Sequence, residues 1–371
     1  MTDNELSRRT LLRTCAGAAG FAALGSLSGC SGGGNNGGKT TGTQDPSGKT
    51  TESPGSGPNS GGSVDVPAAA QAIVQVNVSE TLNDQNIREV VNTFLGQAAK
   101  QEGYTGPSTV QEALDSAKQA GDIDPQGLHS MTTYMKVDGT SDVQGYTGIL
   151  MQTDWTAQQL IDSAENQNAD VTKGSYKGVT TYSSQANGTS GLFAVLGDGT
   201  FALGTETAVK DAIDVSTGNA DPLSGDLATY FADTNDGHLR FASMVPEDQL
   251  PQQDSGQVNI DGLDKLRYLS GSFYSQSSNL GVDINMHTTD EKSASELADS
   301  LDALLQTASM TSDNEDVNQI IDQVEFSANG STATMVYVES VTQIDAYVEK
   351  YAAQLFGMSV GGGMAAGTSA A

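Results

Sequence analysis

The sequence predicts an α+β fold: two similar units, each an antiparallel sheet covered by helices on one face, preceded by a disordered tether. Short apolar runs come in pairs joined by tight turns, as in Gln323 to Ser327 and Thr332 to Val338 around Asn329-Gly330, and such pairs make antiparallel hairpins. Between the pairs lie helical stripes, the clearest being Ala294, Leu297, Leu301, Leu304, Leu305 and Ala308. The order strand, helical stretch, two strands, helix, hairpin, helix is read twice, over about residues 66–219 and about residues 236–356, which argues for an internal duplication.

In the first unit, Ala72 to Val78 read as a strand, and Ile87, Val90, Val91, Phe94, Leu95 and Ala98 recur at helical spacing. Thr109 and Glu112 are spaced as a capping box for a second helix. Ser130 to Val137 and Val143 to Gln152 are expected to pair, and Asp154 is expected to cap a helix through Leu160 and Ile161. Strands follow at Gly178 to Ser184, Leu192 to Leu196 and Thr200 to Gly204, the last two turned by Gly197-Asp198-Gly199, before a helix from Glu206 to Val215. A connector over about residues 220–235 carries turn signals at Asp221-Pro222 and Asn235-Asp236-Gly237, around a short helix with Leu223, Leu227 and Tyr230.

The second unit opens with a strand at His238 to Met244. Tyr268 to Ser275 and Gly281 to Met286 come next, then the long apolar stripe, the hairpin, and a helix with Ile344, Tyr347, Val348, Tyr351 and Leu355 on one face. The halves align where Gly148 to Asp154 and Gly281 to Asp290 each run from a strand into an Asp-capped helix. Sequence identity between them is negligible, so the duplication rests on element order, and whether the two sheets pack side by side or merge stays open.

The first 29 residues read as an export signal. Arg8 and Arg9 precede an apolar, Ala/Gly-rich run from Thr14 to Ser28, shorter than the roughly 20 residues that a membrane-crossing helix needs, and the run ends at Leu27-Ser28-Gly29-Cys30. Ser7-Arg8-Arg9 and Leu27 to Cys30 resemble the twin-arginine signal and lipobox of exported lipoproteins, although Leu11 and Leu12 stand where many such signals carry Phe-Leu. The resemblance implies export of a folded protein, cleavage before Cys30 and a lipid on its sulfur. It therefore implies a membrane partner on the outer face of the cell. An uncleaved anchor and a cleaved, unlipidated secretory signal are the alternatives. Cys15 and Cys30 are the two cysteines, so a chain matured in this way has neither thiol nor disulfide. From Ser31 to about residue 65 the chain is Gly, Ser, Thr, Asn and Pro, a composition that predicts a flexible linker, and Gly357 to Ala371 reads as a disordered tail.

The net charge is -29, from 46 acidic and 17 basic residues, and removing residues 1–29, with Arg8, Arg9 and Arg13 against Asp3 and Glu5, makes it -30. Such a surface repels phosphate backbones, which excludes nucleic acid as a partner. Carboxylates spread along a lysine-poor chain suit a protein kept hydrated in concentrated salt, where self-repulsion is screened within a few ångströms. Together with the signal, this makes the chain similar to the twin-arginine lipoproteins of haloarchaea. An acidic secreted protein of ordinary salinity is the alternative.

The inventory of catalytic signals is sparse. His129, His238 and His287 lie far apart without zinc-site spacing, and each reads as a solvated residue at a strand end. Gly174-Ser-Tyr-Lys-Gly178 places its serine one position early for a nucleophile elbow, and the glycines at 197, 199 and 204 sit in a hairpin instead of opening a helix. Asp233 to Gly237 and Asp313 to Asp316 resemble incomplete calcium loops, so neither metal nor cofactor is expected. Trp155 reads as a packing residue. Asn77, Asn187 and Asn329 begin N-glycosylation triplets, Asn187 and Asn329 in expected turns and Asn77 in a strand.

Two classes of function follow. One is a surface-tethered binding or scaffold module, which includes a carrier of an apolar ligand, with a small molecule or an envelope protein as partner. The other is an extracytoplasmic hydrolase whose site is assembled from distant Asp, Glu, Ser or His residues. The lack of adjacent catalytic pairs favours the first.

Overall fold

The computed structural model describes residues 64–101, 104–121, 123–137, 145–166, 169–186, 189–250 and 260–360. Arg8, Arg9, Cys30 and Asn187 lie outside them.

The fold is α+β, and most of its strands join in one sheet. In chain order the strands of the first half are β1 (Val64–Pro67), β2 (Ala72–Val76), β3 (Leu128–Met135), β4 (Thr147–Thr153), β5 (Asp170–Tyr176), β6 (Val179–Ala186), β7 (Thr189–Gly197) and β8 (Thr200–Gly204). After β9 (Pro222–Leu223) come β10 (Leu239–Met244), β11 (Leu266–Gln276), β12 (Asn279–Thr288), β13 (Val324–Asn329) and β14 (Thr332–Ser340). Twelve of them form a sheet in the order β13-β14-β12-β11-β10-β2-β3-β4-β8-β7-β6-β5, while β1 pairs with β9 apart from it. Neighbouring strands of the sheet are antiparallel throughout.

The two halves meet where β2 pairs with β10, Ile73 opposite Ala242. Outward from that pair one side runs β3, β4, β8, β7 and the other β11, β12, β14, β13, so each half adds a meander and then a hairpin that enters in reverse order. The first half carries an additional hairpin, β5 with β6, at its outer edge. Of the two arrangements that the sequence leaves open, the sheets are merged.

The helices are α1 (Val78–Asn83), α2 (Gln85–Ala98), α3 (Val110–Gly121), α4 (Ala157–Asn166), α5 (Glu206–Ser216), α6 (Asp226–Ala232), α7 (Glu291–Thr311), α8 (Glu315–Asp322) and α9 (Val341–Val360). In the first half they cover both faces of the sheet, where coverage of one was expected. Ala194 and Ala202 pack on Ala208, Val209, Ala212 and Ile213 of α5, whereas their neighbours Phe193 and Phe201 point the other way, toward Leu160 of α4. In the second half, Ala333 and Met335 pack on Ala294 and Leu297 of α7. Tyr337, next on the same face, lies beside Tyr347 of α9 and, half-buried there, has its pKa pushed up to about 12 by loss of solvent. The helices after β4 and β12 thus share a face, but those after β8 and β14 do not. Leu160 already fills the face behind β7 and β8, so α5 crosses to the other one.

Tyr134 shows what the central strands demand. Its ring is fully buried, its hydroxyl donates to Ala208 O at 2.9 Å, and a Cβ at Gly148 on the neighbouring strand would lie 2.1 Å from its Cζ. Glycine is therefore required opposite a core tyrosine.

Local corrections have local causes. α4 begins at Ala157, not at a cap on Asp154, because Thr156 and Gln159 cap it reciprocally: Thr156 N donates to Gln159 Oε1 at 2.9 Å and Gln159 N to Thr156 Oγ1 at 3.3 Å. Asp290 does cap α7, accepting from Ser293 N at 3.0 Å. The β13–β14 turn is Gly330-Ser331, one residue later than expected, since Asn329 pairs with Thr332 and the residue with φ of +55° is Gly330. Asn77 follows β2 at the N-cap position of α1 instead of lying in a strand.

Candidate functional site

All three histidines lie within 3.0 Å of a serine hydroxyl supplied by a different element. The third partner and access to solvent separate them.

His287 on β12 is 7% exposed. Its Nε2 is 2.9 Å from Ser270 Oγ on β11, its Nδ1 is 3.0 Å from Thr332 Oγ1 on β14, and its ring stacks on Tyr230 of α6 with centroids 3.6 Å apart. The same sheet face continues with Ser272, which donates to Asp283 Oδ1, and with Thr334, which donates to Asn285 Oδ1 at 2.9 Å. Asn235, from the connector, donates to Asp283 Oδ1 at 3.1 Å. The result is a polar ladder across β11, β12 and β14, in which each partner offsets the cost of burying another. Ser270 is 1% exposed, so no substrate reaches its hydroxyl, and the far nitrogen of His287 meets a hydroxyl where a triad needs a carboxylate. This network holds structure.

It also makes stability depend on pH. Burial lowers the pKa of His287 to about 4 from 6.5, with Asp233 opposing the shift. The unfolded chain therefore takes up a proton first as pH falls. The stabilisation is whole above about pH 6.5 and declines toward about pH 4, by at most about 1.4 kcal/mol per pH unit. His287→Gln, which can still bond both hydroxyls, should lose stability relative to wild type at pH 7 and close the gap by pH 4. Parallel stability curves over that window, measured by denaturant melts, would refute this.

His238 is 3% exposed, with Nε2 at 3.0 Å from Ser275 Oγ and 3.6 Å from Asp84 Oδ2. Asp84 also caps α2 by accepting from Ile87 N at 2.9 Å, and Asn77 Nδ2 donates to Gly237 O at 2.6 Å. These bonds fasten the α1–α2 junction to the centre of the sheet. His238 and His287 are thus buried, contrary to the expectation of solvated strand ends. Their hydroxyl partners come from adjacent strands, which no spacing along the chain reveals.

His129 matches that expectation, and its two ring nitrogens meet a hydroxyl and a carboxylate. Its Nδ1 is 3.0 Å from Ser79 Oγ and its Nε2 is 2.9 Å from Asp154 Oδ1. Three consecutive sheet neighbours bring the group together: Ser79 lies just past β2, His129 at the start of β3, and Asp154 just past β4, and antiparallel pairing puts those ends side by side. Asp154 N donates to Gly127 O at 2.8 Å. Trp155 beneath is a packing residue, 5% exposed, with Nε1 donating to Asp124 O at 2.8 Å. The His129 side chain is 41% exposed and that of Asp154 74% exposed. Ser79 is half-buried.

Elsewhere, an open cleft of about 530 Å³ runs along α1 and α2, lined by Asn83, Gln85, Arg88, Glu89, Asn92 and Thr93. Among the described residues no group of three or more His, Cys, Asp or Glu side chains could hold a metal ion, and no helix is long and apolar enough to cross a membrane. Large apolar side chains reach solvent on the helices: Val91 (36% exposed) on α2, Leu304 (38%) and Met310 (85%) on α7, Val317 (40%) and Ile320 (36%) on α8. Asn314 and Asp316 tie the start of α8 to Tyr351 and Lys350 of α9. Of the glycosylation triplets, Asn77 is engaged with Gly237 and half-buried, while Asn329 is exposed.

No family model and no curated protein matches the chain. Among solved structures it is similar to TP0453 in crystal form III, with a TM-score of 0.41 and 7% identity over 77% of this chain and 96% of that one. Form IV of the same protein gives 0.41 and 7%, over 76% and 94%.

Proposed function

We propose that the chain is an exported cell-surface module, directed outward by Arg8 and Arg9, anchored through a lipid on Cys30, adapted to high salt, and specialised for binding an apolar ligand. The observation that carries the binding role is the exposure of Val91, Leu304, Met310, Val317 and Ile320 on α2, α7 and α8 in a chain otherwise dominated by carboxylates. Salts that are excluded from protein surfaces make apolar exposure more costly, so a protein suited to brine that keeps such side chains at its surface has a use for them. Nothing in this role needs a metal or a cofactor. Of the candidate glycan acceptors, Asn329 has the accessibility that modification requires, whereas Asn77 does not.

Mass spectrometry of protein purified from native envelopes should find a co-purifying apolar molecule. An apolar fluorescent probe should bind the purified protein in molar salt and should bind the Val317→Asp, Ile320→Asp variant several-fold more weakly. Equal probe binding by both, with no co-purifying ligand, would end this reading. The alternative, an extracytoplasmic hydrolase, is favoured by one observation, the linear Ser79, His129, Asp154 arrangement.

A further inference from the structure

We propose that Ser79, His129 and Asp154 form a hydrolytic triad that cleaves short-chain acyl esters. With the ring N–H on Nε2 donated to Asp154 Oδ1 at 2.9 Å, the lone pair of Nδ1 faces the Ser79 hydroxyl at 3.0 Å, closer than that hydroxyl's other acceptor, Leu128 O, at 3.4 Å. Nucleophile, base and orienting carboxylate then stand in line, with the two ring nitrogens exchanged relative to the serine protease arrangement. The roles require a base on the hydroxyl and a carboxylate on the opposite nitrogen, whichever nitrogen that is.

Comparison with the other two histidines supports the assignment. His287 has a threonine hydroxyl where a carboxylate is needed, and Ser270 is sealed off. His238 has Ser275 and Asp84 on the same nitrogen, and its buried Nδ1 has no hydrogen-bond partner among the described residues. The His129 group alone of the three combines a carboxylate on the far nitrogen with access to solvent. It is also held in place. Ser79 sits in the first turn of α1, whose Asn83 side chain donates back to Ser79 O at 2.7 Å, and Asp154 is pinned by its backbone bond to Gly127 above the packed Trp155.

In the reaction, Ser79 Oγ bonds to the ester carbonyl carbon as its proton passes to His129 Nδ1. The tetrahedral intermediate collapses, the bond to the leaving alkoxide breaks, and Nδ1 returns the proton to that oxygen. Water then attacks the acyl-serine, gives its proton to Nδ1, and the carboxylic acid departs as Ser79 recovers its hydrogen. One ester and one water give one acid and one alcohol. Asp154 keeps its charge and steadies the imidazolium in both halves. The open position of the group, with Asp154 74% exposed, suits small acyl chains, and the acidic surface disfavours anionic esters.

The test is run on the full chain in molar potassium chloride. With p-nitrophenyl acetate, wild type should turn over with a rate that Ser79→Ala reduces to the uncatalysed level, a loss of about 10²-fold or more, and that Asp154→Asn lowers by a smaller factor. A fluorophosphonate should label Ser79 in wild type, as read by peptide mass spectrometry, and should fail to do so in His129→Ala with an unchanged circular dichroism spectrum. Equal ester turnover by wild type and Ser79→Ala, or Ser79 unlabelled in the folded wild-type protein, would overturn the proposal. Neither readout depends on the apolar surface, so the two functional assignments stand or fall separately.

Discussion

Transfer from molar to millimolar salt is expected to loosen this protein and lower its melting temperature. Among the described residues, Lys118, Lys177, Lys210, Arg240, Lys265, Arg267, Lys292 and Lys350 pair with carboxylates, which leaves Arg88, Lys100, Lys136 and Lys173 to set against the acidic excess. The excess is also concentrated locally. On α7, Asp299 and Asp302 follow Glu296, itself paired with Lys292, at three-residue spacing, and the last turn holds no basic residue. Like charges at that spacing each destabilise a helix by a few tenths of a kcal/mol when unscreened. The Debye length grows from about 3 Å at 1 M to about 30 Å at 0.01 M salt, and at the longer distance carboxylates on separate elements repel one another as well. Summed over about thirty uncompensated charges, a loss of roughly 5 kcal/mol or more, or about 10 °C or more in Tm, is expected. Calorimetry between 2 M and 0.01 M potassium chloride reads it directly. An unchanged Tm would contradict adaptation to salt, and so would recovery with sucrose to the same degree as with salt, because sucrose does not screen charge.

What was legible in the sequence is what depends on neighbours along the chain. The stripe from Ala294 to Ala308 lies within α7, Gly197-Asp198-Gly199 makes the β7–β8 turn with φ of +107°, +49° and +73°, and Trp155 packs. The strand β5 escaped because an edge strand with mostly exposed residues, Asp-Val-Thr-Lys-Gly-Ser-Tyr, shows no apolar alternation. The helix α8 escaped because none of its residues is buried. The crossing of α5 to the opposite face, which breaks the equivalence of the two halves, depends on Leu160 packing against Phe193 and Phe201, a fact of three dimensions.

The histidine sites divide in the same way. The partners of His287 come from three elements distant in sequence, and nothing local marks them. The His129 group did leave a signal. Ser79, His129 and Asp154 stand at the ends of three successive expected strands, and an antiparallel meander brings such ends together. In the sequence Ser79 is the third residue of the Asn77 triplet, and Asp154 reads as a helix cap. Once Thr156 and Gln159 take over the capping, the Asp154 carboxylate is available to His129.

Replacing Cys30 by serine is expected to move the protein from the membrane fraction to the medium or to halt its maturation. Among the described residues no helix can span a bilayer, and a net charge of -29 repels anionic headgroups, so the domain contributes little electrostatic affinity for the membrane. On the reading proposed above, a lipid on Cys30 supplies the attachment, at about 0.8 kcal/mol for each methylene buried. Detergent partitioning and mass measurement of the N-terminal peptide distinguish the possible outcomes. Wild type should partition into detergent with a lipid mass on Cys30, and Cys30→Ser should be aqueous or unprocessed. Arg8→Lys with Arg9→Lys should leave the unexported precursor, because the paired arginines address the export route and the cysteine acts only after it. A processed Cys30→Ser protein that stays in the detergent phase would show that something other than this lipid holds the chain to the membrane, and the apolar side chains on α2, α7 and α8 would then be the first place to look.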